Sequence, residues 1–277
     1  MQIRDYSLPA GWFPRDPAAI SSFLSGFKAQ KRSFRAAIAP HAGWYYSGQL
    51  SALAVSGLES GADTVVVIGG HLPENHEPLF AMEDAVKTPF GAMEIDAGLR
   101  EAVINEFGGR EDRYRDNTVE VLLPMVHYFF PDAKILWLRL GADTESFECG
   151  KIISGAAAKL NRKVNVLAST DLTHYGVNYG FSPKGRGKAA LDWVREVNDA
   201  AFIKAVESGS HEEVLRRAEC DSSSCSAGAV SGAMGFADSM KLGSARLLQY
   251  ATSADKSIED GEGIPDSFVG YAAFAFR

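Results

Sequence analysis

Six short apolar runs rich in β-branched residues recur along the chain: "FRAAIAP" at 34–40, "TVVVIGG" at 64–70, "AKILWLRL" at 133–140, "VNVLAST" at 164–170, "ARLLQYAT" at 245–252 and "SFVGYAAFAF" at 267–276. Their lengths and turn-residue boundaries predict buried strands. Segments with helical periodicity lie between them: 16–30, 47–61, 96–109, 118–130, 145–160, 185–209 and 211–218. The first opens at Asp16 with Pro17 in its first turn, a helix start signal. Strands alternating with helices predict an α/β protein, a three-layer α/β/α sandwich around a mostly parallel mixed central sheet. The last two strands follow each other closely and are candidates for an antiparallel pair. The Gly/Pro-rich "YGFSPKGRG" at 179–187 reads as a loop and not as a boundary, so residues 1–277 are expected to form a single domain.

In open α/β sheets, ligands bind beyond the carboxyl ends of the strands. His41 follows the run at 34–40, His71 follows "VVVIGG", and Asp171 and His174 follow "VNVLAST" in "STDLTHYG". Any one of them could simply cap a loop, but three strand ends that each deliver an imidazole or a carboxylate point to a site. Asp171 and His174 could form a carboxylate–imidazole pair, or Asp171 could cap its own turn. Cys225 ends the polar run "DSSSC", where a small-residue helix begins; a helix N-terminus favours thiolate, though a plain buried thiol fits there too. Cys149, inside a helical run, reads as a core residue, and Cys220, between Glu219 and Asp221, as a bystander. His76 on a loop, His127 near a helix C-terminus and His211 in an exposed acidic turn are weaker candidates.

Composition narrows the function classes. The chain has 277 residues, 46% of them hydrophobic, enough for one large core or at most two domains. No apolar run is long enough to span a bilayer, and the early Arg4 and Asp5 do not suit a secretory signal. A formal charge of −7 argues against nucleic acid as the main partner. Three cysteines without a CxxC pair suit a reducing cytoplasm better than a disulfide framework. Neither a GxGxxG nor a Walker loop is present, so no nucleotide cofactor is expected, and "GWYYSGQ" does not match the GxSxG elbow.

"IAPHAGWYYSGQLSA", "VVVIGGH", "STDLTHYG", the single Cys225 before a helix and the closing "LLQYATSAD…SFVGYAAFAF" resemble, in order and spacing, the Memo family, called AmmeMemoRadiSam system protein B in prokaryotes. The likeness covers nearly the whole chain. It implies a fold similar to class III extradiol ring-cleaving dioxygenases. It also implies a site of two histidines and a cysteine, carried over as the metal ligands His41, His71 and Cys225, with Asp171 and His174 nearby. There His174, if not itself a ligand, is placed to act as acid or base with Asp171 fixing its tautomer, or Asp171 completes the metal shell instead. The cofactor so implied is Fe(II) or copper, with zinc fitting a sulfur-containing set as well, and the chemistry is redox or dioxygenase-like, on an unidentified small molecule. Tyr46 and Tyr175 would line the pocket. The resemblance also carries other readings: a binding or accessory protein that takes a peptide in the same cleft, and association with radical-SAM and AMMECR-type proteins. Apart from the resemblance, the residues themselves allow a weaker third function class, a Cys–His hydrolase using Cys225 and His174. The sequence departs from the family pattern at Leu72, where a second histidine is usual, at Asn117 in "DNTVE", where Glu120 is kept, and at Ser226 after the thiol.

Overall fold

The computed structural model describes residues 1–27 and 33–277. The elements in chain order are β1 (Ile3–Arg4), α1 (Pro17–Ser25), β2 (Ala36–Ala39), α2 (Trp44–Ser56), β3 (Thr64–Leu72), β4 (Leu79–Phe80), β5 (Ala85–Thr88), β6 (Gly91–Glu94), α3 (Ala97–Phe107), β7 (Arg110–Glu111), α4 (Asn117–Glu120) and α5 (Leu123–Phe129). They continue with β8 (Lys134–Gly141), α6 (Glu145–Lys159), β9 (Val164–Ser169), β10 (His174–Gly176), α7 (Lys188–Trp193), α8 (Asp199–Ser208), α9 (His211–Asp221), α10 (Ala227–Ser239), β11 (Arg246–Thr252), α11 (Ser253–Glu259) and β12 (Ser267–Phe276). No helix among the described residues is long and apolar enough to cross a membrane.

The main sheet has nine strands in the order β10-β12-β2-β9-β3-β8-β4-β7, with β11 against β12. At its centre β2, β9, β3 and β8 run parallel, so their carboxyl ends share one edge. β12 is antiparallel to β2, β10 and β11. Alternation along the central strands splits the core in two. Val65, Val67, Ile135 and Trp137 pack with Leu50 and Val55 of α2 and Met125 of α5. Val66, Ile68, Leu136 and Leu138 pack on the other face with Ile153 of α6, Phe202 of α8 and Ala233 of α10. Continuous apolar strands need both faces covered, and helices cover both. The mixed α/β fold and the antiparallel final pair match the reading of the sequence.

Three helical segments differ from it. The first runs from Pro17 to Ser25, and its expected tail at 28–30 lies outside the described residues. The segment 118–130 is two helices, because Pro124 sits in the first turn of α5 and supplies no N–H to continue α4. The segment 185–209 starts only at Lys188, after Gly185 and Gly187 adopt positive φ, and carries a π turn at Val194–Asn198.

Two helices on one face are in backbone contact. A Cβ at Gly150 of α6 would lie 2.0 Å from the Gly232 carbonyl of α10, and one at Gly235 1.9 Å from the Phe147 carbonyl. This approach seats α10, and with it the segment carrying Cys225, hard against α6. Gly150→Ala or Gly235→Ala should therefore lower stability by about 1–3 kcal/mol through overpacking. Gly155→Ala, in the same α6 with nothing within 4 Å of its Cβ position, should raise it by up to about 1 kcal/mol. Urea unfolding midpoints of the three variants check both signs.

Behind the turn from β9 to β10, Asp199 is fully buried. Its Oδ1 accepts the Thr173 N–H at 3.1 Å and the Thr173 hydroxyl, and its Oδ2 accepts the Tyr250 hydroxyl at 2.7 Å. Burial outweighs these hydrogen bonds and holds the carboxyl up at about 6, above its ordinary 3.8. Between those values the folded chain keeps a proton that the unfolded chain has lost, so stability falls as pH rises through that window. Asp199→Asn should remove this decline, and unfolding midpoints of the wild type and variant from about pH 4 to about pH 7 measure it.

Candidate metal centre

His41 stands two residues past the end of β2 and is 1% exposed. Its N–H donates to Asp171 Oδ1 at 2.7 Å, and its Nδ1 lies 2.7 Å from Ser169 Oγ at the end of the adjacent β9. The Ser169 hydroxyl donates its single proton to the Thr118 carbonyl, so it must accept from His41 Nδ1. That leaves the lone pair of His41 on Nε2, which lies 3.2 Å from Cys225 Sγ.

His71, the penultimate residue of β3 beside β9, lies in the left-handed region, with φ +57. The ladder with β8 is irregular between Gly69 and Leu72, and a non-glycine residue in this conformation costs roughly 1–2 kcal/mol. The turn brings the imidazole over the sheet edge, 4.8 Å from the His41 ring and 84° to it. His71 Nδ1 is 2.9 Å from Asp116 Oδ2. The carboxylate only accepts, so Nδ1 carries a proton and Nε2 is again the ring atom turned away from the bond. Asp116 is held by its own partners: Arg139, nearly buried in β8, reaches it at 3.2 Å while donating to the Gly70 carbonyl at 2.9 Å. Burial pushes Asp116 up, but the His71 hydrogen bond and the Arg139 charge prevail and keep it at about 2.

Cys225 is brought to the two rings by close backbone approach. A Cβ at Gly69 would lie 2.1 Å from Thr118 Oγ1, and one at Gly70 2.4 Å from Ser226 Cβ. The glycine pair before His71 thus admits α4 on one side and the start of α10 on the other. The Cys225 N–H donates to the Asp171 carbonyl at 3.2 Å, tying the segment to the end of β9. One ligand atom from each of His41, His71 and Cys225 lies within 4.8 Å of the others.

The charges in this group are coupled. Burial disfavours the Cys225 thiolate, yet His41 and His71 outweigh it and bring the thiol well below its usual range. Burial lowers His41 and His71, but Cys225 and Asp171 raise His41 overall, and the Asp116 and Cys225 contacts raise His71 to about 10. The sequence attributed an acidic thiol to a helix N-terminus. In the structure α10 begins at Ala227, two residues later, and the imidazoles do the stabilising.

A cavity of about 710 Å³ opens on this edge, walled by His41, His71, Asp171 and His174 together with Trp12 and Tyr179. Burial, opposed by His41 and reinforced by Cys225, lifts Asp171 above the usual carboxylate range. His174 does not pair with Asp171 through a hydrogen bond: its Nδ1 donates to the Leu172 carbonyl at 3.1 Å, and its ring meets Tyr179 edge-on at 4.9 Å. Tyr46 lines the cavity, but Tyr175 does not; it is fully buried, stacked on Phe268, with its hydroxyl donating to the Gly185 carbonyl. Asn117 lines the cavity and donates to the His41 carbonyl at 2.9 Å. Glu120 is buried away from it, accepting the N–H groups of Ser7 and Leu8 at 2.8 and 3.1 Å.

The remaining candidates fall elsewhere. Cys149 is in the core and Cys220 exposed on α9. His76 bonds the Glu77 carbonyl, and His127 bonds Thr88. His211 is not in an exposed turn: it opens α9, stacked on Phe147 at 3.9 Å with its side chain 16% exposed. Sequence reasoning missed Asp116, Ser169 and Arg139, which orient the two imidazoles. Arg139 was visible as a guanidinium within an otherwise apolar buried run, a charge that needs buried partners.

The model of the family described as Memo-like protein matches residues 4–275. A MEMO1 family protein of Methanosarcina barkeri is 31% identical over 286 residues, 98% of each chain. A MEMO1 family protein of Pyrococcus horikoshii is 29% identical over 302 residues, covering 99% of this chain and 100% of its own. An uncharacterized protein of Escherichia coli K12 of known crystal structure superposes with a TM-score of 0.47 at 12% identity, over 87% of this chain and 99% of that one. The family match spans the strand-end histidines, the thiol and the loop between β9 and β10 alike, and the chain belongs to the Memo-like family.

Proposed function

We propose that the protein holds one redox-active metal ion, iron or copper, through His41 Nε2, His71 Nε2 and Cys225 Sγ, and acts on a small molecule seated in the cavity beside it. One observation carries this reading. Each imidazole has its Nδ1 proton committed to an acceptor, Ser169 Oγ or Asp116 Oδ2, which leaves Nε2 as the atom that takes a metal once its proton leaves, in a group of three ligand atoms within 4.8 Å of one another. Metal-ligating histidines are held in this way. Two nitrogens and a sulfur suit iron, copper or zinc and disfavour magnesium or calcium. A bound iron or copper ion would supply one-electron chemistry. The chain's own groups do the rest. His174, with Nδ1 fixed on the Leu172 carbonyl, keeps Nε2 as the basic atom able to take a proton from a hydroxyl of the bound molecule. Asp171 holds the His41 backbone and adds a buried carboxyl to the same wall. Trp12, Tyr46 and Tyr179 supply aromatic walls that displace water. No lysine or arginine lines the cavity among the described residues, so a phosphate would find no guanidinium fork or ammonium there, only the imidazoles assigned to the metal. That favours an uncharged small molecule over a phosphorylated peptide.

Elemental analysis of untagged protein, purified anaerobically without chelator, should find about one iron or copper per chain; a metal-free chain that also binds neither Fe(II) nor Cu(I) on titration would defeat the reading. Cys225→Ser should weaken metal affinity by roughly tenfold or more, and Asp116→Asn or Ser169→Ala by roughly 10–100-fold, with the fold intact. In the metal-free protein, iodoacetamide should label Cys225 ahead of Cys149, whose thiol burial pushes up, and Fe(II) or Cu(I) should protect it. Mass spectrometry of the labelled peptides reads this directly.

A further inference from the structure

We infer that the centre has two entrances and that its metal cation arrives through a separate acidic cleft on the Cys225 side. This rests on the metal reading above. A second cleft of about 520 Å³ lies between the loop after β3, the start of α6 and the exposed side of α9. Cys225 and Leu72, the residue after His71, are in its wall. Neither belongs to the wall of the larger cavity, which holds His41 and His71 instead. The three ligand residues therefore stand between two openings that differ in charge.

The cleft carries five carboxylates, Glu74, Asp143, Glu145, Glu212 and Glu219, and one cation, Arg216. Arg216 is committed to Glu213 at 2.7 and 2.6 Å. Asp143 is occupied by the Asn75 and Ser146 N–H groups, both at 3.1 Å, and Glu212 lies 3.2 Å from His211. Glu74, Glu145 and Glu219 have no ion pair among the described residues. Among the described residues the larger cavity has a single carboxylate, Asp171, already accepting the His41 N–H. A concave wall of one sign focuses the field and raises cation on-rates by 10- to 1,000-fold. Carboxylate oxygens hold such an ion weakly, and the softer thiolate and imidazoles at the end of the path retain it. The small molecule then has the larger cavity to itself.

Loading is followed by stopped-flow with Co(II) alone, read by the thiolate-to-cobalt absorption. The variant Glu74→Gln/Glu145→Gln/Glu219→Gln should take up Co(II) about tenfold or more slowly at low ionic strength and lose most of its salt dependence. The control Glu101→Gln/Glu196→Gln/Glu262→Gln, with the same change in net charge on exposed residues elsewhere, should load at close to the wild-type rate. Ala218→Trp, which narrows the cleft from α9 without altering charge, should slow uptake and release by the same factor and leave the dissociation constant unchanged. Wild-type uptake rates in both the cleft triple variant and Ala218→Trp would overturn the route while leaving the centre intact. A wild-type chain that binds no Co(II) at all would overturn the centre and the route together.

Discussion

The backbone approach at Gly69 and Gly70 is the contact on which the site edge depends. Side chains at either position would collide with Thr118 or Ser226, so only glycines let α4 and the start of α10 close on the end of β3. That closure has several consequences at once. The Thr118 carbonyl receives the Ser169 hydroxyl that orients His41. Asp116 comes within reach of His71. Cys225 arrives beside both rings. The same strand end bears the left-handed His71, a local strain held in place by segments packed on both sides of it.

Charge balance explains why such a polar group can sit at the edge of an apolar core. A lone buried thiolate or carboxylate would protonate, and a lone buried imidazole would stay neutral. Here Cys225 answers to two imidazoles, Asp116 to His71 and Arg139, and Arg139 in turn also to Asp112 at 3.3 Å. A cation bound as proposed at His41, His71 and Cys225 would replace protons already shared by the group, so the protein would scarcely have to reorganise to receive it.

The cavity wall is assembled from distant parts of the chain. Its N-terminal side, including Trp12, is anchored through Glu120, which holds Ser7 and Leu8, and through the Trp12 carbonyl, which accepts the Trp44 N–H at 2.8 Å. Its far side comes from β12 and α11 near the C-terminus, with Ser253, Ser267 and Tyr271. The departures from the family pattern noted in the sequence bear on different surfaces. Asn117 bonds the His41 carbonyl and faces the cavity, Leu72 faces the acidic cleft, and Ser226 fits against Gly70.

The layer plan is legible in the chain's pattern. Continuous apolar runs separated by helical periodicity leave few options except a covered, mostly parallel sheet, and all six strands it marked are present. It also marked where polar chemistry would fall, because parallel strands place His41, His71, Asp171 and His174 at one edge. Family motifs singled out Cys225. Relations between segments far apart in the chain emerge only on folding: Asp116 and Ser169 orient the imidazoles, Leu172 rather than Asp171 holds His174, and Tyr175 is core. Local pattern reports which face a residue prefers, since burial is a property of single side chains and their period. Hydrogen-bond partners 45 to 128 residues apart depend on how closely two backbones can approach, and that distance was set by two glycines whose neighbours the chain order does not reveal.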